Sequence, residues 1–258
     1  MLITGATGGL GAALARSYAQ SGRTLILHGR DASRLESLTR ECESRGAKVH
    51  SVIFDLRDTA AGIAALRSLS SRHVIDLAIV NAGVSRAIGE GAEAENWEVA
   101  KAVLAVNLDG AIATLTSVLP EMRRRGTGQV AIISSLAAYI GLPVTPTYCA
   151  SKAALKVYGE ALRGWLAPQG IAVNVVMPGF VRTPMSDRFP GAKPGLMSPE
   201  RAAAAIRRGL ERNRARIAFP FTLAGTMWFL SVLPAALSQW LLRTAGFGRT
   251  SRSRGDRE

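Results

Sequence analysis

Apolar residues along this chain gather in short runs separated by longer, helix-like stretches. The runs Met1–Ile3, Thr24–Gly29, Val52–Leu56, Leu77–Val80, Val130–Ile133 and Ile217–Phe219 read as strands, and Ala12–Ser21 has the composition of a helix. Two longer helical patterns cover Trp97–Arg125 and Tyr148–Ala167. Strands alternating with helices predict an α/β fold, a doubly wound parallel sheet of Rossmann type, in a single domain over residues 1–219. Past Arg216 the pattern changes, because Ile217–Leu242 is a stretch of 26 residues without a charge. After its strand, Pro234 splits the remainder into two short helices, about Phe221–Leu233 and Ala235–Leu242. These form an apolar helical extension over 220–248, followed by a basic tail over 249–258 that is expected to be disordered.

Two segments of this pattern carry chemistry. The first strand runs straight into Gly5-Ala6-Thr7-Gly8-Gly9-Leu10-Gly11 and then into a helix. Glycines without a Cβ let backbone N–H groups and the positive helix end approach a pyrophosphate, so this turn predicts dinucleotide binding. In Thr147–Lys152, TYCASK, a tyrosine and a lysine stand four residues apart on one helix face. A phenol with an ordinary pKa of about 10 is a poor acid–base group at neutral pH, and a cation held against it stabilises the phenolate. Tyr148 is therefore the candidate proton carrier and Lys152 its tuning charge.

Further motifs follow in order: FDLRD with Asp55 and Leu56, the turn Asn81-Ala82-Gly83, the segment around Asn107, Ser135 thirteen residues before Tyr148, and Pro178-Gly179-Phe180-Val181-Arg182-Thr183. With TGATGGLG and YCASK in that order and spacing, the chain resembles the short-chain dehydrogenase/reductase family from Met1 to about Phe219. The resemblance implies a tetrad of Asn107, Ser135, Tyr148 and Lys152. In it Tyr148 moves the proton, Ser135 hydrogen-bonds the substrate oxygen, Lys152 also holds the nicotinamide ribose, and Asn107 binds a water feeding a proton relay. It further implies that Asp55 and Leu56 contact adenine, that Asn81, Ala82 and Gly83 line the adenosine ribose, and that Pro178, Gly179, Val181 and Thr183 meet the carboxamide. Pro184–Ser198, with Arg188, Phe189 and Lys193, would be a mobile substrate loop. The two long helices would build an intersubunit four-helix bundle in a homodimer or homotetramer.

Cofactor choice turns on the end of the second strand. An acid there would accept from a ribose 2′-hydroxyl, whereas Gly29 is followed by Arg30, whose guanidinium suits a 2′-phosphate. NADP is favoured over NAD. Cys42 and Cys149 give no disulfide framework and no secretory signal precedes the first strand, so a cytoplasmic location is expected. Cys149 is read as a packing residue. His28, His50 and His73 lie in separate segments without ligand spacing, so no metal is inferred.

The net charge of +13 asks for an anionic partner. Nucleic acid is disfavoured, since the arginines are scattered and no aromatics interleave with them. The apolar extension offers another candidate. It is short for a spanning helix, is broken by proline and has basic flanks, which suits the interface of an anionic membrane, with Trp228, Phe229, Trp240 and Phe247 at headgroup depth. The same helices would also serve as a pocket cover or an oligomer interface. Taken together, the residues describe an NADP-dependent oxidoreductase interconverting a ketone and a secondary alcohol, on a lipid-like, acyl or sugar substrate. A redox-sensing or membrane-associated NADP-binding protein without turnover is the alternative.

Overall fold

In the computed structural model, which describes residues 1–88, 94–245 and 247, alternate residues of each strand feed two different cores. The elements run β1 (Leu2–Ile3), α1 (Gly9–Tyr18), β2 (Thr24–Gly29), α2 (Ala32–Ser44), β3 (Lys48–Ile53), α3 (Thr59–Arg72) and β4 (Leu77–Val80). Then α4 (Trp97–Leu104) passes through a π-helical turn at Ala105–Asp109 into α5 (Gly110–Arg125). There follow β5 (Gly128–Ile133), α6 (Pro146–Leu166), β6 (Ile171–Pro178), α7 (Pro184–Asp187), α8 (Pro199–Glu211), β7 (Arg216–Phe219), α9 (Phe221–Val232) and α10 (Ala235–Thr244). Gly248 and the tail over 249–258 lie outside the described residues.

The seven strands form one parallel sheet in the order β3-β2-β1-β4-β5-β6-β7. Ile3, Leu25, Leu27 and Ile79 point to the layer of α1, α2 and α8, where Leu14, Leu35 and Ile206 are buried. Leu2, Ile26, Ala78 and Val80 point the other way, against Leu66 of α3, Leu115 of α5 and Leu155 of α6. This period-2 alternation is what a sheet covered on both faces requires. The continuous helix Trp97–Arg125 has the length and mean hydropathy, 1.7, of a membrane span, but it is mostly buried as a core element. A third cluster sits at one edge, where Leu136, Leu142, Cys149 and Met177 pack against Ala224, Met227 and Leu242 of the extension.

Three boundaries differ from the pattern reading. β3 is Lys48–Ile53 rather than Val52–Leu56, paired with β2 from Thr24↔Lys48 to Gly29↔Ile53. As an outermost, half-exposed strand it carries Lys48, His50 and Ser51, so it shows no apolar run, and Asp55 and Leu56 lie in the loop beyond it. α1 starts at Gly9, inside the glycine-rich turn, rather than at Ala12. The eight-residue β6 is absent from the pattern reading because Asn174 interrupts its apolar run. That amide is buried and satisfied: it donates to the Arg214 carbonyl at 2.7 Å and accepts from Gln129 Nε2 at 2.8 Å.

Candidate active site

The chain leaves β1 outward through β2 and β3, then returns on the other side to β4, so a crevice opens beyond the C-terminal ends of β1 and β4. The glycine-rich turn enters it. Gly5 holds φ +65°, and a Cβ there would stand 2.7 Å from Ala82 Cα, while one on Gly11 would overlap the Gly5 carbonyl oxygen. The buried Thr4 hydroxyl accepts from the N–H groups of Asn81 (3.0 Å) and Ala82 (3.2 Å), and Asn81 Nδ2 donates to the carbonyls of Thr4 and Gly5. Turn and Asn81–Gly83 segment thus form one locked unit.

Every candidate catalytic or cofactor-binding residue named from the sequence except Asn107 lines a single cleft of about 400 Å³. At its far end Arg30 projects, about half exposed, 3.7 Å from Asp55. Asp55 is held mainly by Arg57, at 2.6 Å, whose hydrogen bonds keep the carboxyl down at about 2. The Asp55 carboxylate is therefore taken by arginine, and a second cation, Arg34, also lines this end. Arg34 was not found by sequence reasoning, although it stands four residues after Arg30 beside the Asp31 cap that starts α2. His28 was also missed. It is buried, its Nδ1 accepts from the Gly5 N–H at 3.4 Å, and its Nε2 lies 3.0 Å from the Phe54 carbonyl oxygen, which requires the Nε2–H tautomer. Burial pushes its pKa below the ordinary value, so a neutral ring ties the glycine-rich turn to the end of β3. His50 and His73, remote in sequence, stack with centroids 4.5 Å apart, with no third metal-ligating side chain beside them among the described residues.

At the near end α6 presents Tyr148 and Lys152. Lys152 is buried, donates from Nζ to the Ile133 carbonyl at 2.9 Å and sits 5.8 Å from the centre of the Tyr148 ring. Burial draws its pKa down to about 8 and pushes the Tyr148 phenol up to about 12, against the opposing pull of the Ser135 hydroxyl. Desolvation dominates both groups in this geometry, and the Lys152 ammonium, with one of its three hydrogens on the Ile133 carbonyl, keeps two for other partners. Ser135 Oγ accepts from the Ala137 N–H at 3.1 Å at the start of a 3₁₀ turn, and the Ser134 hydroxyl donates to the Lys152 carbonyl at 2.7 Å, which fixes α6 against β5.

Asn107 is held by a dense set of contacts. It sits in the π-helical turn, fully buried, where its Oδ1 accepts from the Val84 N–H at 2.7 Å and its Nδ2 donates to the Val84 carbonyl (2.9 Å) and to Ser151 Oγ (3.0 Å). Both amide hydrogens are used, so the side chain braces α6 against the loop after β4. Cys149 accepts from the Leu142 N–H at 3.3 Å, is buried, and has its thiol pKa pushed up by that burial, as suits a packing residue.

Beyond Ser135 and Tyr148 the cleft becomes apolar. Leu136, Leu142, Phe180, Met185 and Phe189 form one side, and Leu223, Met227 and Phe247 of the extension form the other. Phe247, expected at headgroup depth, instead faces this pocket, and Leu230 packs inward as well. Trp228, Phe229, Val232 and Trp240 remain exposed. The extension is therefore both cover and exposed apolar surface. Of the expected substrate loop, Phe189 stacks 5.0 Å from Phe180, Lys193 reaches the Asp187 carbonyl, and Val181 bridges to Met197, while Arg188 is exposed.

The family model described as short chain dehydrogenase matches residues 1–193. An uncharacterized oxidoreductase of Myxococcus xanthus is 35% identical over 239 residues, covering 92% of this chain and 93% of that protein. Dehydrogenase/reductase SDR family member 7B of Danio rerio is 35% identical over 215 residues, 80% of this chain and 69% of the relative. Among solved structures, a short-chain dehydrogenase from Burkholderia cenocepacia in complex with NADP superposes with a TM-score of 0.78 at 27% identity, covering 93% of this chain and 96% of that one.

Proposed function

From a chain that belongs to the short-chain dehydrogenase/reductase family, and is thus an NAD(P)-dependent dehydrogenase/reductase, we propose an NADP-dependent interconversion of a ketone and a secondary alcohol on an apolar substrate. The observation that carries it is the single cleft joining the glycine-rich turn and Arg30 to Ser135, Tyr148 and Lys152. The residues fit the cofactor: the glycine-rich turn leaves the space a Cβ would fill, and Arg30 with Arg34 supplies guanidinium groups where a 2′-phosphate would lie. When bound, the nicotinamide supplies or takes the hydride at the substrate carbon. Ser135 and Tyr148 hold the substrate oxygen between two hydroxyls. Tyr148 gives up its proton as that oxygen becomes an alcohol, or takes one in the reverse direction. Lys152 supplies the positive charge that makes a Tyr148 phenolate tolerable in a buried site, and Asn107, through Val84 and Ser151, fixes the helix that carries both.

The apolar mouth built by Phe189, Leu223, Met227 and Phe247 favours a lipid-like or acyl carbonyl over a free sugar. The exposed Trp228, Phe229 and Trp240 support peripheral contact of the extension with an anionic membrane. The test is a screen of apolar and polar ketones against wild type and Tyr148→Phe, following NADPH absorbance. Turnover of an apolar ketone that falls by ~10²–10⁴ in the variant, with NADPH binding retained, is the expected outcome. Wild-type turnover in Tyr148→Phe would remove Tyr148 from the mechanism.

A further inference from the structure

A second groove, of about 740 Å³, lies on the opposite side of α9 from the catalytic cleft. Its floor is β7 at the outer edge of the sheet, and one wall is α8 with the turn that follows it. Arg208, Arg212, Arg214 and Arg216 line one end. Arg216 is paired with Glu160 at 2.6 Å, but Arg208, Arg212 and Arg214 have no ion pair among the described residues. The backbone that carries them is rigidly held: Asn174 Nδ2 donates to the Arg214 carbonyl at 2.7 Å, Arg163 donates to the Asn213 carbonyl at 3.2 Å, and the Arg214 N–H donates to the Gly209 carbonyl at 3.0 Å. Glu211, the nearest acid in sequence, is occupied by Arg207 at 2.9 Å. The other end is aromatic and open, with Phe221, Trp228 and Phe229 each more than half exposed.

We propose that this groove binds an anionic phospholipid of the bilayer, its phosphate on Arg208, Arg212 and Arg214 and an acyl chain along Phe221, Trp228 and Phe229. Charge complementarity selects the ligand, since three uncompensated guanidinium groups on a fixed turn recognise phosphate, and the aromatic half has no use for a free ion. A second copy of the chain is the competing occupant, since two-fold pairing along the β7 edges would set the arginine end of one groove against the aromatic end of the other, and subunit mass in solution tells the two apart. The position also has a consequence for the catalytic cleft. Helix α9 is a shared wall, presenting Leu223 and Met227 to the cleft and Phe221, Ala224 and Trp228 to the groove. A lipid seated in the groove would therefore hold the helix that roofs the site, next to the surface from which an apolar substrate arrives. This extends the membrane-contact reading, on which it rests for its source of lipid, but its binding chemistry is measurable without a membrane.

The experiment titrates full-length protein calorimetrically with a short-chain phosphatidylglycerol below its micelle concentration, with phosphatidylcholine of the same chains, and with inorganic phosphate. Phosphatidylglycerol should bind at least tenfold more tightly than either comparison. Arg208→Ala/Arg212→Ala/Arg214→Ala should weaken it by on the order of a hundredfold, at roughly fivefold per arginine, while Tyr148→Phe leaves it unchanged. The single variant Arg212→Gln, expected to lose about fivefold, serves if the triple variant does not fold. Equal binding of inorganic phosphate, unchanged binding by the arginine variants, or a change in their subunit mass by light scattering would each overturn the proposal, the last by making the groove a subunit interface. Trp240→Ala, outside the groove, separates the two readings: it should weaken binding to anionic vesicles and leave binding of monomeric phosphatidylglycerol as in wild type.

Discussion

At the scale of single residues, burial sets Tyr148 and Lys152 against each other. A phenol at about 12 and an ammonium at about 8 are each displaced toward their neutral forms, because the same desolvation penalises either charge. The proposed proton transfer from Tyr148 leaves a phenolate that needs the Lys152 cation, and the cation is lost as pH rises through about 8. Ketone reduction, measured as kcat/KM, which reports on the free enzyme, should therefore be flat at lower pH and fall about tenfold per unit above that value. In Lys152→Arg the falling limb should disappear from the accessible range, because a guanidinium keeps its charge. A limb at the same pH in the variant would assign it to another group. At the opposite end of the cleft, Arg30 has only a loose contact with an Asp55 that belongs to Arg57, so it is available for a phosphate. Arg30→Ala should weaken NADPH by about ten- to a hundredfold, the loss of one charge-assisted pair, and NADH much less. Arg34→Ala should show the same selectivity with a smaller loss, since Arg34 is shared with Asp31 at 3.2 Å. Equal losses for both cofactors, read by fluorescence titration, would take both arginines out of phosphate recognition.

At the scale of elements, what could be read in advance was local and what could not was tertiary. The glycine-rich turn, the Asn81–Gly83 segment and the Tyr148/Lys152 helix are legible because each packs its chemistry into a few consecutive residues with a required backbone. The edge strand β3 was misplaced because exposure replaces its apolar run with Lys48, His50 and Ser51. β6 was hidden by Asn174, whose partners Gln129 and Arg214 lie far away in sequence. The brace made by Asn107, the tie made by His28 and the pocket face of Phe247 depend on contacts no spacing announces. The helical layer offers its own prediction. Trp97 of α4 and Val157 and Trp165 of α6 are exposed apolar residues on the helices proposed to build an intersubunit bundle. Val157→Glu should shift the protein to monomer at micromolar concentration in light scattering, because a carboxylate buried at an interface without a partner costs several kcal/mol. An unchanged dimer would place the subunit contact elsewhere.

At the scale of the whole molecule, the extension is one structure with two faces. Leu223, Met227 and Phe247 close the catalytic cleft, and Trp228, Phe229 and Trp240 are turned to solvent beside a chain surface of net charge +13. These faces predict separable losses. Trp228→Ala/Phe229→Ala/Trp240→Ala removes apolar area only from the outer face, so vesicle co-sedimentation with anionic lipid should fall strongly, by roughly 1.5–3 kcal/mol for each side chain that enters the interface, while turnover of a soluble ketone stays near wild type. Truncation after Phe219 removes both faces. It should abolish vesicle binding and also lower turnover, since the pocket loses one apolar wall and opens to water. The electrostatic part is testable on the same samples: binding should weaken as salt rises, because the Debye length shrinks from about 10 Å at 0.1 M to about 3 Å at 1 M. If the full-length protein stays in solution with anionic vesicles while the truncation still loses activity, the extension is a pocket cover alone and the outer aromatics serve a protein contact instead.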